Sequence, residues 1–201
     1  AGHVVRCRAL ADALADAGWQ TVFVFNQDED GAPGFAVGDH ETFTVGVTPV
    51  QEAEALARRW PQGVDLLVVD HYGRDAEFER VCQSWARRIL VLDDLADRRH
   101  DCEIFVNQSQ SCGAPDSEAL VPESCRLLFG PAYALVRPEF AAARVRDLPG
   151  TVEGPVGRIL VSFGAVDADN ATDRVLEGIA RAGIDAAVDV VLGAAAPHLE
   201  A

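Results

Sequence analysis

The sequence predicts an α/β fold built on a doubly wound parallel sheet, and three observations support this prediction. Short apolar runs alternate along the chain with stretches whose apolar residues recur at helical spacing. Most of the runs lack the polar-apolar alternation of half-exposed strands, as expected of parallel strands that are covered on both faces. Polar residues follow directly after several runs, and regular strand-helix alternation is typical of doubly wound sheets.

The first predicted element is a helix over residues 5–17. Cys7, Leu10, Ala11 and Leu14 recur at the spacing of one buried helix face, and Gly18 is a stop signal. An α/β chain normally begins with a strand, and this sequence contains no methionine. We therefore expect a first strand upstream of residue 1 and a continuation beyond residue 201.

The remaining elements follow in alternation. Strands are predicted at residues 21–25, 65–69, 89–92, 103–106, 127–129, 159–163 and 187–192, and further helices at residues 50–59, 76–87, 139–144 and 171–182. A polar stretch with several Gly and Pro residues precedes the strand at 159–163, which is typical of a linker. We expect an N-terminal domain at 1–148, a linker at 149–157 and the incomplete start of a second domain at 158–201.

Composition excludes several classes of function. The net charge is −15 and all 17 basic residues are arginine, so the basic surface that binds nucleic acid is not expected. The five cysteines are odd in number and widely spaced, which favours neither a disulfide framework nor a zinc site. No run of 18 apolar residues and no leader-like segment is present. We expect a cytoplasmic protein without a membrane partner; the sequence does not predict its oligomeric state.

Polar residues of functional type follow four successive predicted strands. They are Asp70-His71-Tyr72, Asp93-Asp94, Asn107-Gln108 and Gly130-Pro131-Ala132-Tyr133. In parallel sheets the ligand cleft lies at the carboxyl ends of the strands. Each group alone is also typical of turns and helix caps, but their recurrence at four strand ends favours a binding cleft.

The pair Asp93-Asp94 has a metal-binding alternative. Two adjacent carboxylates are compatible with a divalent cation, whereas a cap or a hydrogen bond to a sugar or a neighbouring loop needs no ion. No third carboxylate or histidine lies at ligand spacing, so we favour the reading without metal. His100-Asp101-Cys102 is a weaker metal candidate.

His3 lies at the predicted start of the first helix. The unpaired N–H groups and the positive dipole end at that place attract anions and disfavour the imidazolium, which suits a neutral general base. The alternative is a solvated or capping histidine.

The loop Ser162 to Asp167 follows a predicted strand and precedes a helix. Its small residues would let backbone N–H groups approach a diphosphate, although the loop matches neither of the common glycine-rich phosphate motifs. A glycine after a strand can also simply turn the chain.

Together these residues resemble the nucleotide-sugar hydrolase family of pseudaminic acid biosynthesis, the UDP-2,4-diacetamido-2,4,6-trideoxy-β-L-altropyranose hydrolases, which are related to spore-coat polysaccharide proteins. The matching segments are Gly2-His3-x-x-Arg6-Cys7, Val69-Asp70-His71-Tyr72, Leu92-Asp93-Asp94-Leu95, Asn107-Gln108, Gly130-Pro131-x-Tyr133-Ala134-Leu135, Arg137, Glu139-Phe140 and Val161-Ser162-Phe163-Gly164. Their order and spacing cover nearly the whole chain.

The resemblance implies a two-domain fold similar to GT-B glycosyltransferases, with a Rossmann-like second domain, and a reaction in which water replaces UDP at the anomeric carbon with inversion. No metal and no cofactor is implied, and the pathway is linked to flagellin glycosylation. His3 would be the general base and Tyr72 would lie next to the sugar. The implied substrate contacts are Gly2, Arg6, Asp70, His71, Asp94, Asn107, Ser162, Phe163, Gly164 and Asp167, the last four facing UDP.

Two departures from the family pattern bear on activity. Gly164-Ala165 stands where the family loop usually has two adjacent glycines, and the family's C-terminal Glu and Asn-Gln contacts fall outside these 201 residues. We do not expect these 201 residues alone to catalyse the reaction. A GT-B glycosyltransferase that uses an acceptor other than water, and a non-catalytic nucleotide-sugar binding module, remain the alternatives.

Overall fold

The structure, a computed structural model, describes residues 2–26, 37–109, 118–144, 154–164, 166–194 and 196–199. It divides into two units, Ala1–Arg144 and Val145–Ala201, and each is described by itself.

The first unit alternates helices and strands along the chain. Its elements are α1 (Gly2–Asp16), β1 (Val22–Asn26), β2 (Glu41–Val45), α2 (Pro49–Arg59), β3 (Leu67–Val69), α3 (Ala76–Cys82), β4 (Ile89–Leu92), β5 (Ile104–Asn107), β6 (Arg126–Phe129), a 3₁₀ turn (Pro131–Tyr133) and α4 (Pro138–Ala143).

Every strand pair in this unit is parallel. β1 pairs with β2, and β3, β4, β5 and β6 form a second sheet in sequence order. The core of the second sheet contains Ile89, Val91 and Phe105, with Cys82 of α3 packed in the same cluster. β4 and β5, the two central strands of this sheet, are largely buried, which explains their continuous apolar runs. The prediction of an α/β fold with parallel sheets is confirmed.

The second strand was not predicted. β2 has the sequence Glu-Thr-Phe-Thr-Val, and only Val45 at its end is buried. Its polar and β-branched residues suit a half-exposed strand, but five alternating residues are a weak signal beside the apolar runs.

Two helices differ in length from their predictions. α1 begins at Gly2, three residues earlier than expected. α3 ends at Cys82 instead of residue 87, because the backbone of residues 85–87 turns to bond with Val64: the Val64 N–H donates to Trp85 O and the Arg87 N–H donates to Val64 O, both at 2.9 Å. This bridge leads the chain into β4.

The second unit is a strand-helix-strand arrangement. Its elements are β7 (Arg158–Val161), α5 (Ala171–Arg181) and β8 (Ala187–Val190), and β7 pairs in parallel with β8. Both strands are shorter at their carboxyl ends than predicted. Among the described residues of the chain, no helix has the length and apolar character needed to cross a membrane.

Candidate functional site

The N-terminus of α1 meets the carboxyl end of β3. His3, Arg6 and Cys7 stand three and four positions apart, so they share one face of the helix. That face contacts Asp70, the residue directly after β3, and Arg6 also reaches Asp94, which follows β4 by two residues. The parallel arrangement therefore gathers residues that are distant in sequence, as the strand-end argument predicts.

Asp70 holds the imidazole of His3. The Nδ1 atom of His3 lies 2.6 Å from Asp70 Oδ1, and the Asp70 side chain is 4% exposed whereas that of His3 is 33% exposed. A carboxylate accepts a hydrogen bond from the ring N–H, so in the neutral form of the imidazole Nδ1 carries the proton and Nε2 keeps its lone pair. His3 thus combines a buried anchor with access to solvent.

A guanidinium nitrogen of Arg6 also lies near His3 Nδ1, at 3.3 Å. Nδ1 has one site for either a proton or a lone pair, so it cannot both donate to Asp70 and accept from Arg6. The shorter contact to the charged carboxylate decides the tautomer, because charge-assisted bonds are the stronger ones. The Arg6 contact is then a close approach without a hydrogen bond.

Arg6 bridges two carboxylates. Its Nε donates to Asp70 Oδ2 at 2.7 Å and its Nη2 donates to Asp70 Oδ1 at 2.5 Å, while Nη1 donates to Asp94. The hydrogen bonds that Arg6 donates to Asp70 have the largest effect on the pKa of its guanidinium, and with Asp94 they raise that pKa despite the burial of the group. A planar guanidinium suits this two-sided contact.

The same contacts keep Asp70 ionised. Burial by itself would raise the pKa of the Asp70 carboxyl, but the hydrogen bonds from Arg6 and His3 outweigh it and place the pKa below its ordinary value. Cys7 adds a contact, since its Sγ lies 3.3 Å from Asp70 Oδ2, and burial raises the pKa of its thiol. Asp70 is therefore a buried anion that orients three side chains of α1.

Tyr72 stands beside the imidazole. The two rings meet edge to face, with centroids 4.6 Å apart and planes at 82°, and Tyr72 is 52% exposed. His71 turns to its own loop, where its Nδ1 accepts the Gly73 N–H at 2.9 Å. Of the two aromatic residues after β3, Tyr72 is thus the one whose ring contacts the His3 ring.

Asp93 and Asp94 take different partners. Asp94 pairs with Arg6, whereas Asp93 is 1% exposed, accepts the Ala96 N–H at 2.8 Å and pairs with Arg98. A metal pair would need both carboxylates to converge on one point. Over the part of the chain that the structure describes, no group of three or more His, Cys, Asp or Glu residues could hold a metal ion.

The side chains of the weaker metal candidate, residues 100–102, likewise contact three different partners. His100 is buried against Glu79, with 2.7 Å between Nδ1 and Oε1. Asp101 accepts from Arg80 at 3.0 Å, and the Cys102 thiol lies 3.8 Å from that of Cys125. Each side chain is used within the fold.

Asn107 is fully buried at the end of β5. Its Oδ1 accepts the Ser109 N–H at 2.9 Å, and within the described ranges its Nδ2 has no hydrogen-bond partner. Gln108 accepts the Leu135 N–H at 3.0 Å and so holds the segment after the 3₁₀ turn. Buried amide nitrogens are rarely unpaired, so Asn107 retains a donor for a further partner.

In the loop between β7 and α5, Asp167 caps the start of the helix. The Asp167 carboxylate accepts the Ala171 and Thr172 N–H groups, both at 2.9 Å, and hydrogen bonding to Thr172, with a smaller effect of Ala171, lowers its pKa. Two N–H groups at the start of α5 are therefore already engaged. Ser162, Phe163 and Gly164 are exposed and Gly164 has a φ of +83°, while Ala165 lies outside the described residues.

The sequence analysis did not predict a second buried hydrogen-bond network, which joins β1, α2 and the loop after β3. Arg74 donates to Glu52 Oε2 at 2.5 Å, and Asn26 at the end of β1 donates to the same oxygen at 3.0 Å. Asn26 follows an apolar run as Asn107 does, so the strand-end rule could have found it. Nothing local marks Glu52, which lies within a helix.

Comparison with known proteins places these residues in context. No protein-family model matches the chain. Over 140 residues the chain is 38% identical to the UDP-2,4-diacetamido-2,4,6-trideoxy-beta-L-altropyranose hydrolase of Campylobacter jejuni, which covers 69% of this chain and 48% of that protein. It is 29% identical to the spore coat polysaccharide biosynthesis protein SpsG of Bacillus subtilis, over 100% of this chain and 58% of that protein. An uncharacterized protein of Methanocaldococcus jannaschii is 22% identical over 96% of this chain and 40% of its own length.

The chain spans about half the length of the curated relatives it matches. The resemblance indicated by the sequence motifs is confirmed, and the chain is a relative of the Campylobacter nucleotide-sugar hydrolase and of the spore-coat polysaccharide protein SpsG.

Proposed function

We propose that the whole protein hydrolyses a UDP-linked diacetamido-trideoxy hexose at the anomeric carbon and releases UDP and the free sugar. The observation that supports this most directly is the contact of 2.6 Å between His3 Nδ1 and Asp70, in which the His3 side chain is 33% exposed. The name of the relative with 38% identity supplies the substrate class. Pseudaminic acid biosynthesis in the cytoplasm is the setting we propose.

In the proposed mechanism His3 Nε2 takes a proton from a water molecule as the water oxygen bonds to the anomeric carbon. The bond from that carbon to the UDP oxygen breaks, and UDP leaves with the electron pair. Asp70 keeps its negative charge throughout and stabilises the imidazolium that forms, as a buried carboxylate does in other base-orienter pairs. General base catalysis of this kind contributes about 10²- to 10⁴-fold to a rate. A single displacement by water inverts the anomeric centre.

The neighbours of His3 would shape the sugar site. Tyr72 offers a ring face and a hydroxyl next to the base, and Gly2 leaves room because, apart from its chain neighbours and its own helix backbone, no heavy atom of the described residues lies within 4 Å of where a Cβ would stand. The buried Nδ2 of Asn107 would donate a hydrogen bond to the sugar. Asp94 and His71 would contribute less directly, because Asp94 binds Arg6 and His71 stabilises the loop that contains Tyr72.

UDP would be bound by the second domain. We propose that residues 158–201 begin a Rossmann-like domain of a GT-B-like fold, after an N-terminal domain at 1–148 and a linker at 149–157. The exposed backbone of Ser162 to Gly164 would face the diphosphate and stabilise the charge of the leaving group without a metal. Asp167 would act by fixing the start of α5, since its own charge repels phosphate.

We also propose that a further parallel strand completes the first domain. A cleft of about 870 Å³ separates β1 from β3 and is lined by both strands and by the apolar face of α1. Among the described strands, β1 pairs with β2 alone and β3 with β4 alone, so each has an unpaired edge toward the cleft. Buried strand edges require hydrogen-bond partners.

The direction of that strand follows from α1. The helix starts beside Asp70, at the carboxyl end of β3, and is followed in the chain by β1. A strand that leads into α1 would therefore end at the carboxyl edge and run parallel to β1, as right-handed strand-helix-strand units require. The occupant we propose is a strand of the same polypeptide.

The decisive assay uses the whole protein with the UDP-linked sugar in ¹⁸O-labelled water. Hydrolysis predicts UDP and a free sugar of inverted configuration that has ¹⁸O on its anomeric carbon, seen by NMR and mass spectrometry. Absence of UDP release from a folded protein that binds the UDP-sugar would contradict the proposal and favour a binding module.

A second candidate is glycosyl transfer, which the match to a polysaccharide biosynthesis protein favours. The same His3 would then deprotonate an acceptor hydroxyl in place of water. In the labelling assay, UDP release that depends on an added acceptor, with the sugar recovered as a glycoside without ¹⁸O, would identify a transferase.

A further inference from the structure

We propose that Arg98 is a positioning residue that holds Tyr72 beside His3, a role that rests on the proposed function of the His3 site. Arg98 lies in the loop after β4, outside the group that contacts His3 directly. Its side chain is 16% exposed and connects the loop after β4 to the loop after β3.

Arg98 forms hydrogen bonds to both ends of the turn that contains Tyr72. Its Nη2 donates to the His71 carbonyl at 3.1 Å and its Nε donates to the Arg74 carbonyl at 2.8 Å. The Arg74 N–H also bonds weakly to the His71 carbonyl, at 3.4 Å, which closes the turn. Tyr72 and Gly73 form its tip. Because Arg98 binds the backbone on each side of the tip, it restricts the position of the Tyr72 Cα atom and therefore of its side chain.

The other side of the guanidinium is anchored in the interior. Nη1 lies 2.9 Å from Oδ1 of Asp93, a buried residue at the end of β4, and 2.9 Å from Oδ1 of Asp97. Asp93 also accepts the Ala96 N–H, so its position is set by the strand and by its own loop. The chain of contacts thus runs from the β4 core through Asp93 and Arg98 to the turn.

The opposite end of the turn has its own attachment. Arg74 is 3% exposed and pairs with Glu52 of α2, and its guanidinium lies over the Phe78 ring. This contact fixes Arg74 itself, whereas Arg98 also fixes His71. Tyr72 lies one residue from His71, so Arg98 holds the backbone beside it, together with the local bond from the Gly73 N–H to His71 Nδ1.

Tyr72 needs such support because about half of its surface is open to solvent. Its ring meets the His3 ring edge to face at 4.6 Å. Catalytic geometry is sensitive to displacements of about 1 Å, which can cost about 10²-fold in rate. A tyrosine on an unsupported turn would lose its alignment with His3 and with a bound sugar.

The test variant is Arg98→Lys in the whole protein. Lysine keeps a positive charge for buried Asp93, so an uncompensated carboxylate is avoided, but its single ammonium cannot reach both carbonyls and the carboxylate with planar geometry. We expect kcat to fall by roughly 10- to 100-fold with folding retained. Arg80→Lys is the matched control, because Arg80 pairs with Asp101 on the exposed face of α3 and should leave kcat unchanged.

A double-mutant cycle with Tyr72→Ala separates positioning from general stabilisation. If Arg98 acts through Tyr72, Arg98→Lys has no further effect on kcat once Tyr72 is absent. Fully additive losses would overturn the proposal. A Tyr72→Ala variant with full activity would instead contradict the role of Tyr72 in the proposed function, so the two failures are distinguishable.

A second readout does not depend on turnover. The carbon-bound protons of the His3 ring sense the Tyr72 ring in NMR, and their chemical shifts in Tyr72→Ala define the value without that ring. We expect Arg98→Lys to move these shifts toward the Tyr72→Ala value, and the amide protons of residues 72–74 to exchange faster. Unchanged His3 shifts and unchanged exchange in Arg98→Lys would overturn the proposal whatever the enzyme does.

Discussion

His3 at the start of α1 and Asp70 at the end of β3 are joined by a contact of 2.6 Å between Nδ1 and Oδ1, although 67 positions separate them in the chain. The carboxylate is buried and the imidazole is partly open to solvent. This pairing fixes the orientation of one ring nitrogen and leaves the other available for chemistry.

Replacement of His3 by alanine should lower turnover strongly with little effect on folding. His3 is partly exposed and Asp70 keeps its two bonds to Arg6, so the buried carboxylate stays paired. We expect kcat to fall by about 10²- to 10⁴-fold, the usual contribution of a general base. Steady-state kinetics on the whole protein, with circular dichroism and thermal unfolding, provide the measurement.

The matched control for this variant is His40→Gln. His40 also pairs with an aspartate of α1, through Nε2 at 2.7 Å from Asp12, but Asp12 lies about 14 Å along the helix from His3. Turnover should be retained in that variant. Full activity in a folded His3→Ala protein would rule out His3 as the base.

Acid stability should depend on Asp70. Its pKa in the folded chain lies below the unfolded value of about 3.9, so the unfolded state binds the proton more readily. The stabilisation from Asp70 is therefore fully present above the unfolded pKa and is lost as the pH falls through the folded pKa. In Asp70→Asn this dependence is absent.

Urea unfolding of the two proteins between about pH 5 and pH 2 measures the effect. The free energy of unfolding of the wild type should fall more steeply below about pH 4 than that of Asp70→Asn. Asp97→Asn, whose side chain is 58% exposed, is the control and should keep the wild-type slope. Identical slopes for wild type and Asp70→Asn would show that Asp70 does not titrate differently in the two states.

Several parts of the structure could be predicted from sequence because their signals are local. β4 has the predicted bounds Ile89–Leu92, since an uninterrupted apolar run is what a buried parallel strand requires. The placement of Asp70 and Asp94 near one another follows from the geometry of parallel strands, and Arg6 contacts both. The contact to two carboxylates at once depends on how α1 lies on the sheet, which no local pattern specifies.

The parts that were missed depend on tertiary contacts. β2 is largely exposed, so its sequence has few apolar residues to mark it. α3 ends early because residues 85–87 pair with the chain at Val64, a competition that helical periodicity does not reveal. Arg98 follows Asp97 in a polar loop where arginine is unremarkable in sequence, and only the fold brings its guanidinium to the His71 and Arg74 carbonyls.

Arg6→Lys should destabilise the protein while preserving its charge. The ammonium of lysine can pair with one carboxylate but cannot bridge Asp70 and Asp94, and Asp70 is buried. Loss of hydrogen bonds to a charged group costs about 2 kcal/mol in the free energy of unfolding. Denaturant unfolding measures this cost. Arg58→Lys, at the exposed pair with Glu54, is the control and should change stability by less than about 0.5 kcal/mol. Equal effects of the two substitutions would show that the bridge contributes no more than a surface ion pair.

Hydrogen exchange tests the proposed strand between β1 and β3. In the whole protein, a strand seated in the cleft would pair with both edges and protect backbone amides of residues 22–25 and 67–69, since buried paired amides open only in high-energy unfolding. We expect their exchange to be as slow as that of the amides of β4, which is paired on both sides. The amides of β2 provide an internal reference for a largely exposed strand. If the β1 and β3 amides exchange as fast as those of β2 in the whole protein, the cleft is not filled by a strand, and its apolar lining from α1 must be covered in another way.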